Sequence, residues 1–308
     1  MDFSLTEEQL ELKAEARRWL DAHFPLDRDW EAPWDPAGWR ELAELGWLGV
    51  SVPEEHGGAG LGFLEEAVLL EELGYALYPG PYFSTVALAL PQLSGEQQAK
   101  VAAGGRRWSA EVDGLVPDWG RVDAVLTDDG EVAPEGEALE SIDPTRPLGR
   151  LASPRGGEAS PRALAALAAE AVGVAQRALD LALRHAGTRE QFGKPIGTYQ
   201  AVSHPLADTY METELARSLA YWAAWCVAED DEQAPVAAAA AKSQASEAAV
   251  AACERSIQIH GGIGFTWEHP LHRYYRRAQW IEHFGGSPAQ LRARVADAIL
   301  TKEAAWTA

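Results

Sequence analysis

Ser160-Pro161-Arg162-Ala163-Leu164-Ala165-Ala166-Leu167-Ala168-Ala169-Glu170-Ala171-Val172-Gly173-Val174-Ala175-Gln176-Arg177-Ala178-Leu179-Asp180-Leu181-Ala182-Leu183-Arg184-His185-Ala186-Gly187 is the stretch that decides the fold class. Serine is a strong N-cap, and proline fits the first helical position, where no N–H is needed. Leu164, Leu167, Ala171, Val174, Ala178 and Leu181 keep helical spacing as far as His185, and Gly187 reads as the stop. The same reading gives a second helix from about Tyr199 to Glu229, through Leu206, Tyr210, Leu215, Leu219, Trp222 and Cys226. Pro235 opens a third, Ala-rich helix to about Ile259, whose Val236–Ala241 tract reads as tight helix packing. Shorter helices are expected at Leu271–Glu282 and Pro288–Lys302. Long helices with short links predict an antiparallel four-helix bundle over 158–308.

The segment before it, 106–157, has another character. Period-two alternation runs through Trp108–Val112 and Val122–Leu126, and Asp128-Asp129-Gly130 is a hairpin-type turn. Asp143-Pro144-Thr145 and Pro154-Arg155-Gly156-Gly157 break the chain, so a reduced β segment of four to six strands is expected. Residues 1–105 read as an N-terminal helical domain. Thr6 with Gln9 forms a capping box for a helix through Leu10, Leu12, Ala14 and Leu20, ending near Pro25. Asp35-Pro36 starts a second helix closed by Gly46, and Leu48–Gly58 reads as an extended piece with a Gly-rich loop. Phe63–Leu73 is a third helix with Gly74 at its end, and a short helix through Val86, Leu88 and Leu90 follows the Pro79-Gly80-Pro81 turn. The fold class is thus mainly α, with helices on both sides of a small β segment.

Composition narrows function. The 308 residues are 47% hydrophobic, enough to offset ordering entropy and form a core. No run of eighteen apolar residues is present, and the acidic start Met1–Glu8 lacks a basic region, so neither a membrane span nor a targeting peptide is expected. Two cysteines, Cys226 and Cys253, make no disulfide framework and suit the cytoplasm as buried, inert thiols. A formal charge of −21 disfavours nucleic acid and anionic membranes as partners. A phosphate-bearing ligand then needs a local basic or N–H-rich site. Twelve Trp beside seven Phe imply buried, interfacial or pocket-lining indoles.

Several motifs carry a resemblance at consistent spacing. They are Leu45-Gly46-Trp47-Leu48-Gly49-Val50-Ser51-Val52-Pro53-Glu54-Glu55-His56-Gly57-Gly58, and Gly173–Leu179 leading to Thr188-Arg189-Glu190-Gln191-Phe192-Gly193-Lys194-Pro195-Ile196. Gln200-Ala201-Val202, Leu206-Ala207-Asp208 and Gln258-Ile259-His260-Gly261-Gly262-Ile263-Gly264-Phe265, with Arg276 after it, continue the pattern. Together they resemble the acyl-CoA dehydrogenase family. That resemblance implies an N-terminal helical domain, a middle β domain and a C-terminal four-helix bundle. It also implies FAD between the last two, and desaturation of an acyl-CoA thioester at its α and β carbons. A glutamate takes the α proton as hydride moves from the β carbon to the flavin.

The resemblance also implies what this chain lacks. At the family's glutamate-glycine-threonine motif stand Gly285-Gly286-Ser287, so Gly285 replaces the base. The family's other base position falls on Ala163. Glu282 lies three residues from Gly285, and Glu170 lies two helical turns from Ala163, on the order of 10 Å. Catalysis tolerates a ~1 Å misplacement poorly, so both read as solvated or ion-paired helix acids. The flavin-holding threonine loop and tryptophan strand are absent between Gly104 and Gly157, where Trp108 and Trp119 lack that context. The parts that reach a neighbouring subunit's FAD are present. By resemblance these are Arg189, Gln191 and Phe192, with Gln258, Ile259, His260, Gly261 and Gly262. Glycines there permit close backbone approach.

The pattern resembles the shortened, non-catalytic subunit of heteromeric α2β2 acyl-CoA dehydrogenases that degrade steroid side chains in actinobacteria; Pro79–Thr85 resembles that subgroup too. It implies a full-length catalytic partner that binds most of the acyl-CoA, FAD shared at the interface, and an inactive lone chain. Two rivals stay open: a homomeric enzyme using a displaced acid such as Glu282, and a flavin-free acyl-CoA-binding scaffold. His269 and His272, with His260, His283 and Glu282, lack tight zinc spacing, and Gly261–Gly264 lacks the strand of a dinucleotide fingerprint. Arg273, Arg276 and Arg277, with Tyr274 and Tyr275, read as a helix that ion-pairs across a subunit interface.

Overall fold

The computed structural model describes residues 5–30, 34–154 and 156–306. Met1–Ser4 of the acidic start, and Arg155 of the break at Pro154–Gly157, lie outside the described residues. The N-terminal region holds α1 (Glu7–His23), α2 (Pro36–Glu44), α3 (Phe63–Ala76) and α4 (Gly95–Ala102), with a wide π-type helical segment at Phe83–Ala89. The bundle is α5 (Pro161–Thr188), α6 (Gln200–Ala228), α7 (Ala234–His260), α8 (Leu271–His283) and α9 (Pro288–Trp306). Between them lie β1 (Trp108–Ala110), β2 (Val116–Pro117), β3 (Ala124–Thr127), β4 (Gly130–Val132), β5 (Gly136–Leu139) and β6 (Leu148–Leu151). They form two three-stranded sheets, β1-β3-β4 and β2-β6-β5. β1 and β3 run parallel, and the other pairs are antiparallel. A two-residue hairpin, β7 (Glu190–Gln191) and β8 (Lys194–Pro195), links α5 to α6. Among the described residues no helix is long and apolar enough to cross a membrane.

The helix starts follow their capping residues. Thr6 and Gln9 close a reciprocal box, Asp35 accepts from Ala37 N–H, and Ser160 accepts from Ala163 N–H. α7 is the packing centre: Ala237, Ala238, Ala241, Ala245, Ala248, Ala249 and Ala252 are buried against its neighbours. Small side chains there let three helix backbones approach closely.

Several expectations fail, each for a physical reason. Gly74 does not end α3, which runs on to Ala76 and stops at Leu77 in the left-handed region (φ 49°). Gly74 is instead a crossing point: a Cβ there would lie 2.2 Å from the Glu170 carbonyl oxygen, and one on Gly173 would lie 1.9 Å from that of Glu71. The two glycines let α3 and α5 cross backbone to backbone, which binds the N-terminal helices to the bundle. Gly187 likewise sits inside the last turn of α5, which ends at Thr188. Leu48–Gly58 is not extended; it holds 3-10 turns at Trp47–Gly49 and Glu54–His56. On α1 the buried face is Gln9, Ala16 and Leu20, and Leu10 is exposed. On α6 the buried face is built from Ala216, Ala220, Ala223 and Ala224, which leaves Tyr210, Met211 and Leu215 in solvent. Arg277 does not face a subunit interface; it is fully buried within the chain.

Candidate functional site

The residues singled out between Arg189 and Gly262 come together at one end of the bundle. Arg189 caps α5 and, with Glu190 and Gln191, leads into the β7–β8 hairpin. Phe192 and Gly193 form its two-residue loop, with φ 52° and 79°. Positive φ at both positions is the type I′ geometry that matches strand twist, and it favours Asn or Gly over Phe. A bulky residue held there is strained. Phe192 is nonetheless 93% exposed and makes an edge contact with Tyr199, at 6.5 Å between rings.

The α7 end lies beside this hairpin. Ile259 packs on the small cluster of Leu179, Ala182, Ala186 and Leu206, which Ile196 of the hairpin exit also covers. His260 stacks on His185 of α5, with ring centroids 4.4 Å apart, and His269 follows at 4.3 Å from His260. His260 Nδ1 donates to Ser256 O, and Gln258 is exposed. Gly261 then turns the chain at φ 63°, and a Cβ on Gly261 or Gly262 would meet nothing within 4 Å. The backbone is therefore open to approach. Charges nearby are basic: Arg189, Arg273 and Arg276, with Arg276 lying 4.9 Å over the Trp267 ring. Burial first, and then mutual repulsion and these cations, keeps the imidazoles neutral; His269 is pushed down to about 4.

An apolar surface adjoins the hairpin. A groove of 630 Å³ runs between α5, α6 and the hairpin, lined by Leu179, Leu183, Ala186, Pro195, Leu206 and Tyr210. Leu183, Tyr210, Met211 and Leu215 are exposed beside it, and Ile263, Phe265 and Trp267 are exposed beyond Gly262. Exposed apolar area gathered like this marks an interaction face.

The acids behave differently. Gly285 has φ 72°, and a Cβ there would sit 3.0 Å from that of Ala159 and 3.5 Å from Leu164 Cδ2. A glutamate at this position has no room without displacing Ala159. Ala163 is fully buried in the core. Glu282 is half-buried, and its carbonyl oxygen accepts from the buried Lys242 Nζ at 2.8 Å. Lys242 also donates to Gly286 O, so it clamps both sides of the Gly285 turn. Lys242 was not singled out in the sequence, although it is the one basic residue between Pro235 and Cys253.

Glu170 belongs to a buried ion network that sequence reading did not find. Arg277 of α8 donates to Glu170 and Asp143, and at 2.6 Å to Thr145 Oγ1. Arg146 donates to the same Glu170 oxygen at 2.7 Å and lies over the rings of Trp280 and Phe83, at 4.8 and 5.2 Å. Ser84 donates to Asp118 at 2.8 Å. Burial pushes the Asp143 carboxyl up, but Arg277 and Thr145 outweigh it and hold it below the ordinary range. Burial would lower Arg277; Asp143 and Glu170 reverse that. A second clamp joins Glu66 to Arg162 at 2.6 Å and to Ser51. None of these carboxylates is free to act as a base.

These contacts test the fit of FAD, the cofactor that the resemblance implies. The open glycine turn, the exposed Arg189 and the basic surroundings suit a pyrophosphate and its attached nucleotide. The junction of the β segment and the bundle does not suit the ring within this chain, because Arg146, Phe83, Trp280 and Phe284 pack into it.

Comparison with known proteins gives the family. The family model "Acyl-CoA dehydrogenase, N-terminal domain" matches residues 6–100, and "Acyl-CoA dehydrogenase, C-terminal domain" matches 163–300, leaving 101–162 between them. The chain is 35% identical to "Acyl-CoA dehydrogenase IpdE2" of Mycobacterium tuberculosis, over 85% of this chain and 86% of that protein. It superimposes on a subunit of a Tcur3481–Tcur3483 steroid ACAD variant with a TM-score of 0.86 and 32% identity, covering 97% and 99% of the two chains. It superimposes on one chain of the ChsE4–ChsE5 complex from Mycobacterium tuberculosis with a TM-score of 0.84 and 28% identity, again over 97% and 99% of the two chains. With both terminal regions matched and the relatives covered nearly end to end, the chain belongs to the acyl-CoA dehydrogenase family, oxidoreductases that act on a CH–CH bond.

Proposed function

We propose that this chain is the non-catalytic subunit of a heteromeric, FAD-dependent acyl-CoA dehydrogenase. It completes the flavin site of a full-length homologous partner in an α2β2 assembly. One contrast carries the reading: the nucleotide end of the site is open and basic, whereas the position of the base is packed against Ala159 and Leu164. The exposed groove beside the hairpin supports a partner seated there, and the two heteromeric neighbours support the same arrangement. By analogy with the neighbour described as a steroid ACAD, the substrate class is a bulky steroid side-chain acyl-CoA, held mainly by the partner. The assembly works in the cytoplasm, where the buried thiols of Cys226 and Cys253 stay reduced.

The chemistry the flavin supplies is acceptance of a hydride from the substrate's β carbon, and the partner contributes the base. This chain's residues bind and orient. Arg189 offers a charge-assisted donor to a pyrophosphate oxygen, Gly261 and Gly262 give the backbone room to approach, and Phe192 closes over the nucleotide from outside. Gln191, Gln258, Ile259 and His260 shape the same edge.

Co-expression with a full-length homologue from the same genome tests this. The expected product is a yellow complex with dehydrogenase activity and a colourless, inactive lone chain. In the complex, Arg189→Ala removes a charged hydrogen bond worth ~1.5–3 kcal/mol, so FAD should bind roughly tenfold to a hundredfold more weakly. Full activity of the lone chain supports the homomeric rival, and a colourless complex supports the scaffold.

A further inference from the structure

His185 and His260 join the two halves of the nucleotide end. His185 lies one helical turn before Arg189, whose backbone N–H donates to the His185 carbonyl at 2.8 Å. His260 directly precedes the open Gly261-Gly262 turn. The two rings stack with centroids 4.4 Å apart and planes 27° apart. One ring contact thus couples the residue that bears the guanidinium to the glycine turn.

Hydrogen bonds settle which ring can take a proton. His260 Nδ1 faces Ser256 O and carries the hydrogen, so its lone pair lies on Nε2. His269, which extends the stack, has its Nδ1 lone pair engaged by Leu271 N–H at 3.3 Å. Protonating His269 there breaks that bond, and burial, then the other imidazoles, already push it down to about 4. His272 donates from Nδ1 to His269 O and stands edge-on to Trp267, outside the stack. The pair left to accept a proton is His185 and His260.

The surroundings hold that pair neutral until an anion arrives. Burial, then His260 and Arg189, keep His185 below the ordinary value. Burial does the same for His260 against the pull of the Ser256 bond. From α8, Arg273 and Arg276 act on His272 in the same sense, and no carboxylate acts on any of the four imidazoles. A pyrophosphate changes the sign of the local charge, and an anion within ~4–6 Å favours the protonated imidazole. A second proton is opposed by repulsion across the 4.4 Å stack, so the pair titrates as a unit.

We propose that the His185–His260 pair takes up one proton from solvent as a pyrophosphate-bearing nucleotide binds, and so becomes a cationic wall of that site. The proposal rests on the flavin reading above and adds His185 to the residues that serve the nucleotide. Its consequence is linkage: each proton taken up strengthens binding about tenfold for each pH unit that the pH falls.

Calorimetric titration of FAD into the flavin-stripped complex with the full-length partner tests this. Phosphate and Tris at about pH 7 differ in ionisation enthalpy, so the difference in binding heat counts the protons. The expected count is about one half to one proton per FAD, with affinity rising about threefold to tenfold per pH unit from about pH 8 to 6. The double variant His185→Phe with His260→Phe keeps two flat rings and should bind FAD without proton uptake and with a flat pH profile. His269→Phe should retain both the uptake and the profile. If the double variant fails to assemble, His185→Phe alone should still lower the count. With FAD bound, zero uptake in the unaltered complex or full uptake in the histidine-pair variants overturns the proposal and leaves the flavin reading standing. Loss of uptake in His269→Phe alone overturns the assignment to the pair. A complex that binds no FAD overturns the flavin reading itself.

Discussion

At Phe192 the backbone adopts φ 52°, where a side chain with a Cβ costs ~1–2 kcal/mol. Among the described residues the ring has an edge contact with Tyr199 and otherwise stands almost wholly in solvent, which offsets little of that cost. Replacing it by Asn, which tolerates the left-handed region, should leave thermal stability unchanged or raise it by up to ~1 kcal/mol. The same variant should weaken assembly with the partner about tenfold or more in sedimentation equilibrium, the loss of a ~1.4 kcal/mol contact. Unchanged assembly would remove Phe192 from the interface. Glu282 provides the opposite case. Its neighbour Lys242 holds the backbone of the turn, so Glu282→Gln should keep turnover of the complex within about twofold. A large loss in kcat would revive the displaced-acid reading. Arg189 and the Gly261-Gly262 pair sit in motifs of fixed spacing, and the structure brings those motifs to one end of the bundle. Lys242, Arg277 and Glu66 were not legible, because burial of a charge is set by distant partners that no local pattern carries.

Among elements, the helices were legible wherever a cap or a proline marked an end. α1, α2 and α5 begin where Thr6, Asp35 and Ser160 place them. Glycine misled at Gly74, because the same residue signals a helix stop and a close helix crossing. Hydrophobic spacing misled on α6, where Tyr210 and Leu215 keep helical period yet face outward. A stripe of that kind reads the same whether its cover is this chain or another. The ends of α5 and α7 meet through the histidine stack, which links stability to pH. Burial, then the neighbouring imidazoles and Arg189, Arg273 and Arg276, set folded values below the ordinary 6.5, with His269 at about 4. The unfolded chain therefore binds more protons between those limits. This contribution is fully present above about pH 6.5 and fades as pH falls toward 4. Urea unfolding across pH 4–7.5 should give a shallower pH slope for His269→Phe than for the unaltered chain. Equal slopes would contradict the assignment.

For the molecule as a whole, length was the informative quantity. In this 308-residue chain the matched N- and C-terminal regions leave only 101–162 between them, the segment that holds the two small sheets. The structure puts a balanced ion network where that short segment meets the bundle. Asp118, Asp143 and Glu170 face Arg121, Arg146 and Arg277, drawn from the β segment, α5 and α8. Arg121 also donates to the carbonyls of Pro79 and Thr145, at 2.5 and 2.8 Å, which ties in the N-terminal region. Buried pairs like these are weak sources of net stability, but breaking one leaves an uncompensated charge. Arg277→Met keeps the aliphatic volume while stripping Asp143 and Glu170 of their shared cation. Denaturant unfolding should show a loss of ~3–5 kcal/mol. Adding Asp143→Asn to Arg277→Met removes the stranded charge, because Glu170 keeps Arg146, and should recover a large part of that loss, since the penalty lies in the unpaired charge. Additive losses in the double variant would mean that Arg277 and Asp143 act separately and that the short β segment is held by packing alone.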